Sequence, residues 1–274
     1  MKRIGKWLLF CILPGAMVVQ AAFEETPVSA RTVGMGMTGA ANDGLIENVW
    51  INPACLGTIR NWQCALSITR PFGIRELTKQ SLCVGHPFYC GSFALSMQAF
   101  GSNHYQEQQL GLSYAMQLEN RLQLGLRVRA GRVQIDRYGS TQTWMTDAGL
   151  LYPLSAKFRI GASLHNLFRT RIGVQREALP QSLRVGIASS PADNITLNLD
   201  CIKDHRHPAQ LACGLEIQVI PVWRIRAGFS NQPDYLCAGT GFRIKDWIID
   251  YGLAVHPLLG STHQVSLLYL DLTP

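Results

Sequence analysis

The chain lacks the features that mark two common classes of protein. Beyond its first 21 residues no apolar run approaches the roughly 18 residues that a membrane-spanning helix needs. It also has no basic run interleaved with aromatic residues, the pattern typical of nucleic-acid-binding segments. We therefore expect neither transmembrane helices nor a nucleic-acid partner.

The first residues have the pattern of an export signal. Lys2, Arg3 and Lys6 precede an apolar stretch over residues 7–19, and Val19-Gln20-Ala21 is compatible with a signal-peptidase site. We predict a signal peptide over 1–21 and a mature chain that starts near Ala22. Cleavage would lower the 25 basic residues to 22 against 18 acidic ones, a mild positive charge.

The cysteines do not form an obvious disulfide framework. Of the eight, Cys11 lies in the signal, which leaves an odd number. Cys83 and Cys90 flank a predicted turn at His86-Pro87, so a cross-strand bridge between them stays open. Cys64, Cys201 and Cys213 fall on the apolar phase of their strands, where a thiol acts as a small hydrophobe.

No residue pattern indicates an enzyme, a cofactor or a metal site. His205 and His207 lie beside Asp204, but no cysteine or acid cluster completes a tetrahedral ligand set. No serine or cysteine has an identifiable base as partner. We predict a non-enzymatic protein without metal or cofactor.

From Trp62 to Asp271 apolar residues alternate with small or polar ones, as in Leu122–Ala130, which is the period of a strand with one apolar face. The chain is thus predicted to be all-β, with about fourteen strands and no helix between them. We place the strands near residues 62–70, 78–86, 91–100, 107–118, 121–134, 142–152, 157–166, 181–189, 194–203, 208–219, 222–230, 235–244, 247–256 and 263–271.

The connections alternate between short and long. Short turns are predicted at 119–120, 153–156, 190–193, 220–221 and 245–246, and longer loops at 135–141, 167–180, 204–207 and 257–262. Short turns at one end and longer loops at the other are typical of an outer-membrane barrel of a Gram-negative bacterium, with turns and both termini in the periplasm.

Large aromatic residues of the apolar phase collect at one end of the predicted strands: Trp62, Tyr152, Phe158, Trp223, Trp247 and Tyr269. Amphipathic rings favour the headgroup level of a membrane, so we predict that they form a girdle. The apolar face would then point to outer-membrane lipid. A closed antiparallel barrel follows, because hydrocarbon cannot satisfy a bare sheet edge.

The opposite phase would line the lumen, with candidate charged residues Arg127, Arg129, Arg159, Arg184, Arg224, Arg226, Glu216 and Asp250. Two interpretations remain open. The arginines form a lining selective for anionic groups, or they pair with lumenal acids and with carbonyls of an internal plug.

Residues 22–60 do not alternate. They contain Gly34-Met35-Gly36-Met37-Thr38-Gly39 and Asn52-Pro53-Ala54. The glycines match a dinucleotide-binding fingerprint, but neither a buried strand before them nor a later acid supports it. Close backbone packing is another use of glycine. We predict a hatch over 22–60 inside the lumen of a barrel over 61–274. The alternative is a disordered periplasmic tail, for which Trp50 and its neighbours are too apolar.

The stretch from Ser29 to Ala40, with its Ala-Arg-x-x-Gly-Met-Gly opening, and the stretch from Asn48 to Leu56 resemble the mature N-terminus of the FadL/PorV superfamily of outer-membrane barrels. The resemblance implies fourteen strands and a lumenal hatch with Gly34, Gly36, Gly39, Asn52, Pro53 and Ala54. It is closer to the PorV/PorQ branch, which implies a role in type IX secretion with secretion proteins or cargo as partners. The alternative, implied by the fatty-acid branch, is a channel for a hydrophobic ligand. An open porin is a third hypothesis.

Overall fold

The computed structural model describes residues 22–25, 28–174, 176–205 and 207–271, so the predicted signal peptide lies outside the described residues. Fourteen antiparallel strands close into one barrel, because β1 pairs with the last strand as well as with β2. The strands are β1 (Gln63–Arg70), β2 (Lys79–Phe88), β3 (Gly91–Gly101), β4 (Tyr105–Gln117), β5 (Gln123–Ile135), β6 (Gly139–Pro153), β7 (Phe158–His165), β10 (Ser182–Ala192), β11 (Ile195–Asp204), β12 (Gln210–Ile220), β13 (Trp223–Ser230), β14 (Tyr235–Ile244), β15 (Trp247–His256) and β16 (Gly260–Leu270).

A small hairpin outside the barrel, β8 (Arg171–Ile172) and β9 (Glu177–Ala178), lies in the connection between β7 and β10. Two short 3-10 helices, Pro71–Gly73 and Arg75–Leu77, lie between β1 and β2. Among the described residues, no helix is long and apolar enough to cross a membrane.

The closed fourteen-stranded antiparallel barrel predicted from the alternation is confirmed. We call the end that holds Trp62 and Asp271 the terminal end, and the opposite end the loop end. At the loop end the connections 71–78 and 166–181 are long. The predicted loop 135–141 is instead the tight turn 136–138, because the strands on both sides extend further than predicted. The predicted loop 257–262 shortens to 257–259, because β16 begins three residues earlier than predicted.

The predicted turn at His86-Pro87 is wrong. Strand β2 continues to Phe88 and turns at Tyr89-Cys90. Beyond Gly85 this strand has no partner in β1. Pro87 has no N–H to donate, but no hydrogen bond to β1 is needed at this position, so the strand can include it. Cys83 is buried on the inner face and Cys90 is exposed in the turn, and both thiols are free, so the cross-strand bridge does not form.

Side chains alternate along every barrel strand between an exposed apolar outer face and an inner face of small or polar residues. In β5, Leu126 and Val128 are exposed outward while Arg127 between them is buried. Cys201 and Cys213 are exposed with the outward phase, as predicted. The outer wall is thus apolar over most of its height.

Residues 28–59, called the N-terminal segment below, contain one helix, α1 (Ala30–Gly34), and two 3-10 helices, Ile46–Trp50 and Pro53–Thr58. Helix α1 contacts β13 to β16, and residues Pro53–Thr58 contact β3 to β6. These strands lie on opposite sides of the barrel, so the segment reaches the inner wall on both sides.

Candidate functional site

The candidate site is the interior of the barrel, where the N-terminal segment meets the inner wall. An apolar cluster joins Ile46, Val49 and Leu56 of the segment, all fully buried, to small inward residues of the wall such as Ala94 and Ala115. Small wall residues leave room for chain inside a barrel of this strand number. The apolar side of the segment is therefore packed as tightly as a protein core.

The glycine motif contacts the opposite wall, where its backbone approaches inward-facing glycines. Gly36 has a left-handed conformation (φ +67°), and a Cβ added there would collide with the carbonyl oxygen of Cys213 and lie 2.7 Å from the nitrogen of Phe229. A Cβ on Gly34 would lie 3.0 Å from the Cα of Gly239. The N–H of Gly39 donates to the carboxylate of Asp200 at 2.8 Å. Only residues without side chains permit this approach.

Asn52-Pro53-Ala54 forms the second contact region. The side-chain oxygen of Asn52 accepts a hydrogen bond from the Ala54 N–H at 3.0 Å and so caps the 3-10 helix that begins at Pro53. Its side-chain amide donates to the carbonyls of Ala40 (2.6 Å) and Leu150 (3.0 Å). One buried side chain thus fixes the turn, ties it to the glycine motif and ties both to β6.

Two clusters of buried charge hold the segment against the wall. In the first, Asp147 of β6 accepts from Arg127 Nε and Arg129 Nη2, each at 2.7 Å, and from the backbone N–H of Asn166 at 3.0 Å. Arg127 also donates to the carbonyl of Val49 in the segment at 3.1 Å. The acid and both arginines are nearly inaccessible, so each charge depends on the others.

The second cluster lies across the barrel. Glu216 of β12 accepts two hydrogen bonds from the Arg31 guanidinium, at 2.9 and 3.0 Å, and a third from Arg226 Nε at 2.5 Å. Arg226 also donates to Asp250 at 2.7 Å. Although burial alone would lower the pKa of Arg31, the carboxylate of Glu216 raises it above its usual value. This bidentate pair joins helix α1 to the barrel wall.

The remaining predicted arginines also face inward and have partners. Arg184 donates to the Met37 carbonyl at 2.7 Å and to Asp200 at 3.2 Å. Arg159 lies 3.4 Å from the Asp43 carboxylate and donates to the Ala41 carbonyl at 3.3 Å. Arg224 donates to the Gln218 side chain, at 3.3 Å and 3.4 Å. Arg159 and Arg184 thus contact both an acid and a carbonyl of the N-terminal segment, whereas Arg224 contacts a neutral side chain of the wall.

Asp147 and Arg31 were missed by the sequence analysis. Asp147 is the one acid in β6, falls on the inward phase and is paired with Arg127 in the register. The alternation of β6 could therefore have identified it as a lumenal partner of the arginines. Arg31 carried no such signal, because it lies on a short helix whose partner is 185 residues away.

Glu47, in the segment, is a buried acid without a well-aligned hydrogen bond on either oxygen. Burial raises its pKa to about 7, the nearby carboxylate of Asp250 adds to this, and Arg31 and Arg226 oppose it. Glu47 is therefore expected to change charge near neutral pH.

The six predicted girdle residues all lie at the terminal end. Trp62 precedes β1, Phe158, Trp223 and Trp247 begin strands, and Tyr152 and Tyr269 lie near strand ends. Trp247 and Tyr269 are in ring contact at 4.9 Å. The sequence analysis missed Phe88, Phe93 and Tyr114, which form a further chain of ring contacts at the same end.

At the loop end the lumen contains an apolar cluster. Phe23 packs with Val133 and Met145 of the inner wall and with Ile172 and Leu179 of the β7–β10 connection, and all five are buried. At the terminal end a polar cavity of about 250 Å³ has Arg31, Glu216, Arg224 and Arg243 among its lining residues. The described residues contain no group of acids, histidines or cysteines suited to a metal.

Comparison with known proteins gives a fold but no close relative. No family model matches the sequence, and no curated protein is detectably similar to it. Among solved structures the toluene transporter TbuX of Ralstonia pickettii matches with a TM-score of 0.67 and 15% identity, covering 88% of this chain and 96% of that one. A Pseudomonas aeruginosa FadL homologue matches with a TM-score of 0.67 and 12% identity, over 88% and 98% of the two chains.

The monoaromatic hydrocarbon channel CymD matches with a TM-score of 0.62 and 15% identity, over 90% of this chain and 97% of that one. At these identities the likeness shows the fold alone, which is that of FadL-type barrels. It lends no support to the PorV/PorQ branch or to type IX secretion.

Proposed function

We propose that this chain is an outer-membrane channel for hydrophobic small molecules, made with a signal peptide over 1–21, a hatch over 22–60 and a barrel over 61–274. The observation that carries the proposal is the apolar cluster of Phe23, Val133, Met145, Ile172 and Leu179 at the loop end of the lumen. Proteins of the same fold bear the names of toluene transporters and monoaromatic hydrocarbon channels, which supports it.

The apolar outer wall supports a membrane location. A band of exposed leucine, isoleucine and valine side chains surrounds the barrel, and aromatic residues border it at the terminal end. Trp62, Tyr152, Phe158, Trp223, Trp247 and Tyr269 then form a girdle at the periplasmic headgroups, and the loop end faces the cell exterior.

A hydrophobic molecule that enters at the loop end reaches this cluster by displacing one of its members, since all five side chains are buried. Val133 and Met145 are inward residues of β5 and β6, and Ile172 and Leu179 of the β7–β10 connection pack against them. Transfer of an apolar molecule from water to such a surface is favourable by about 25 cal/mol per Å². The cluster thus offers an entry site that an ion or a sugar would not occupy.

The N-terminal segment acts as the hatch in this proposal. Among the described residues, its contacts with the wall leave buried side-chain polar atoms of Asn48 and Asn198 without hydrogen-bond partners. Each such atom costs about 1–3 kcal/mol in a dry interior. A contact surface with these defects separates more readily than a fully bonded core, as a hatch must when a ligand passes.

Uptake of toluene by cells that depend on this barrel tests the proposal. Met145→Gln places an amide in the loop-end cluster, so uptake should fall several-fold. Thr143→Val changes a buried inward residue of the same strand to an apolar one and serves as the matched control, for which uptake should be unchanged. Equal uptake by all three proteins, or by cells without the barrel, would refute the proposal.

A further inference from the structure

The outward face of the barrel strands carries charge of only one sign. Among the described residues of the fourteen barrel strands, every outward-facing charged side chain is basic: Arg70 in β1, Arg132 in β5 and Lys203 in β11. All acids on the barrel strands, such as Asp147 and Glu216, belong to the inward phase. This separation does not depend on which molecule the barrel carries, although the inference drawn from it rests on the proposed outer-membrane location and orientation.

The three basic residues also lie at similar heights, seven to nine residues from the start of their strands at the terminal end. Arg70 is the last residue of β1, eight residues beyond Trp62. At about 3.3 Å per residue and a strand tilt of about 40°, it lies roughly 20 Å from the aromatic end. Lys203 is likewise eight residues from the start of β11. The apolar band of such barrels is about 25 Å tall, so these side chains reach its upper boundary.

Arg70 lies beside further polar groups on the same outward surface. It is paired in the register with His263. The His263 ring contacts the Tyr251 hydroxyl at 2.7 Å and the Ser261 hydroxyl at 3.1 Å. Among the described residues Arg70 has no carboxylate partner, in contrast to the arginines of the inner face. A cation at the edge of hydrocarbon is costly unless it reaches water or an anion.

We propose that Arg70 with His263, Arg132 and Lys203 form binding sites for the phosphate groups of an anionic lipid in the outer leaflet. Arginine donates two parallel hydrogen bonds to a phosphate, and its aliphatic stem stays in the apolar band. Lys203 is a point charge on a flexible stem, whose Nζ donates to the His207 carbonyl at 2.6 Å. A phosphate-bearing lipid supplies the missing negative charge at the required level.

The test measures lipid retained by the purified full barrel after reconstitution in phosphatidylcholine vesicles that contain diphosphoryl lipid A. The triple variant Arg70→Gln, Arg132→Gln, Lys203→Gln should retain several-fold less lipid A by mass spectrometry. A charge-matched control removes three exposed basic residues of the terminal end, with Arg121→Gln, Lys157→Gln and Lys245→Gln, and should retain as much as the native protein.

A second arm replaces the probe. Dephosphorylated lipid A should be retained no better by the native barrel than by the triple variant. The proposal is overturned if the triple variant binds as much lipid A as the native chain, if the control variant loses as much as the triple variant, or if the native barrel retains dephosphorylated lipid A as well as it retains diphosphoryl lipid A. Full displacement by excess inorganic phosphate would also overturn it, because the site would then be one for a soluble anion.

Discussion

The inner and outer faces of the barrel use the same residue type in opposite settings. On the inner face Arg127, Arg129 and Arg226 are buried, and each donates to a carboxylate at 2.7 Å. On the outer face Arg70 and Arg132 have no carboxylate within reach among the described residues. The alternation of the strand alone assigns each arginine to its face. A shift of one residue in register would therefore move the inner arginines to the outer face and the outer arginines to the inner face.

The comparison shows where charge is structural and where it is available for binding. A buried cation in a low dielectric is tolerated only when its partner is already in place. An exposed cation at an interface is solvated or meets a mobile partner, and a surface pair contributes little to stability. We therefore expect inner charges to determine the stability of the barrel and outer charges to determine what adheres to it.

The largest effect is expected at Asp147. The change Asp147→Asn leaves Arg127 and Arg129 buried without a carboxylate, and should lower the free energy of unfolding by about 3–5 kcal/mol. Arg132→Gln on the outer face of β5 is the control, expected within about 0.5 kcal/mol of the native value. Urea unfolding in lipid vesicles measures both. Equal effects of the two changes would contradict the division between faces.

A smaller effect is expected where the glycine motif meets the wall. Gly36 and Gly44 both have positive φ, so alanine costs each about 1–2 kcal/mol of backbone strain. A Cβ on Gly36 would also collide with the Cys213 carbonyl, whereas nothing lies within 4 Å of one on Gly44. Gly36→Ala should therefore destabilise by about 1–3 kcal/mol more than Gly44→Ala. If the same urea series shows no difference, the segment is not packed against β12 and β13.

The smallest effect concerns Glu47 and pH. Its pKa is raised from 4.5 to about 7 in the folded chain. The folded state thus holds the proton more firmly than the unfolded state, so the stability it contributes is complete below about pH 4.5 and lost as pH rises through about 7. The N-terminal segment should be released several-fold more often at pH 8 than at pH 5.

Thiol labelling of Cys55, which is fully buried in the segment, reports this release when quantified by mass spectrometry. Glu47→Gln is the reference at each pH, which cancels the ionisation of the thiol itself. Asp43→Asn removes a partly exposed acid of the same segment and should keep the pH dependence. A native chain that behaves like Glu47→Gln at every pH would show that Glu47 does not titrate in this range.

Much of the barrel could be predicted because its information is local. Alternation predicts the strands and the face on which each residue lies, and the aromatic positions identify the terminal end of the barrel. Pro87 shows the limit of local information. The sequence predicts a turn there, but the strand continues because its neighbour has already ended. The β8–β9 hairpin was missed because two-residue strands carry no period.

The interior could be predicted only in part. The sequence by itself determined that Arg127, Arg226, Glu216 and Asp250 face inward, since alternation is a property of the strand. Only the tertiary structure decided that Glu216 neutralises Arg31, a residue 185 positions away on a short helix inside the barrel. Two buried charges can pair only if closure of the barrel brings their elements within hydrogen-bond distance. No local sequence pattern contains that information.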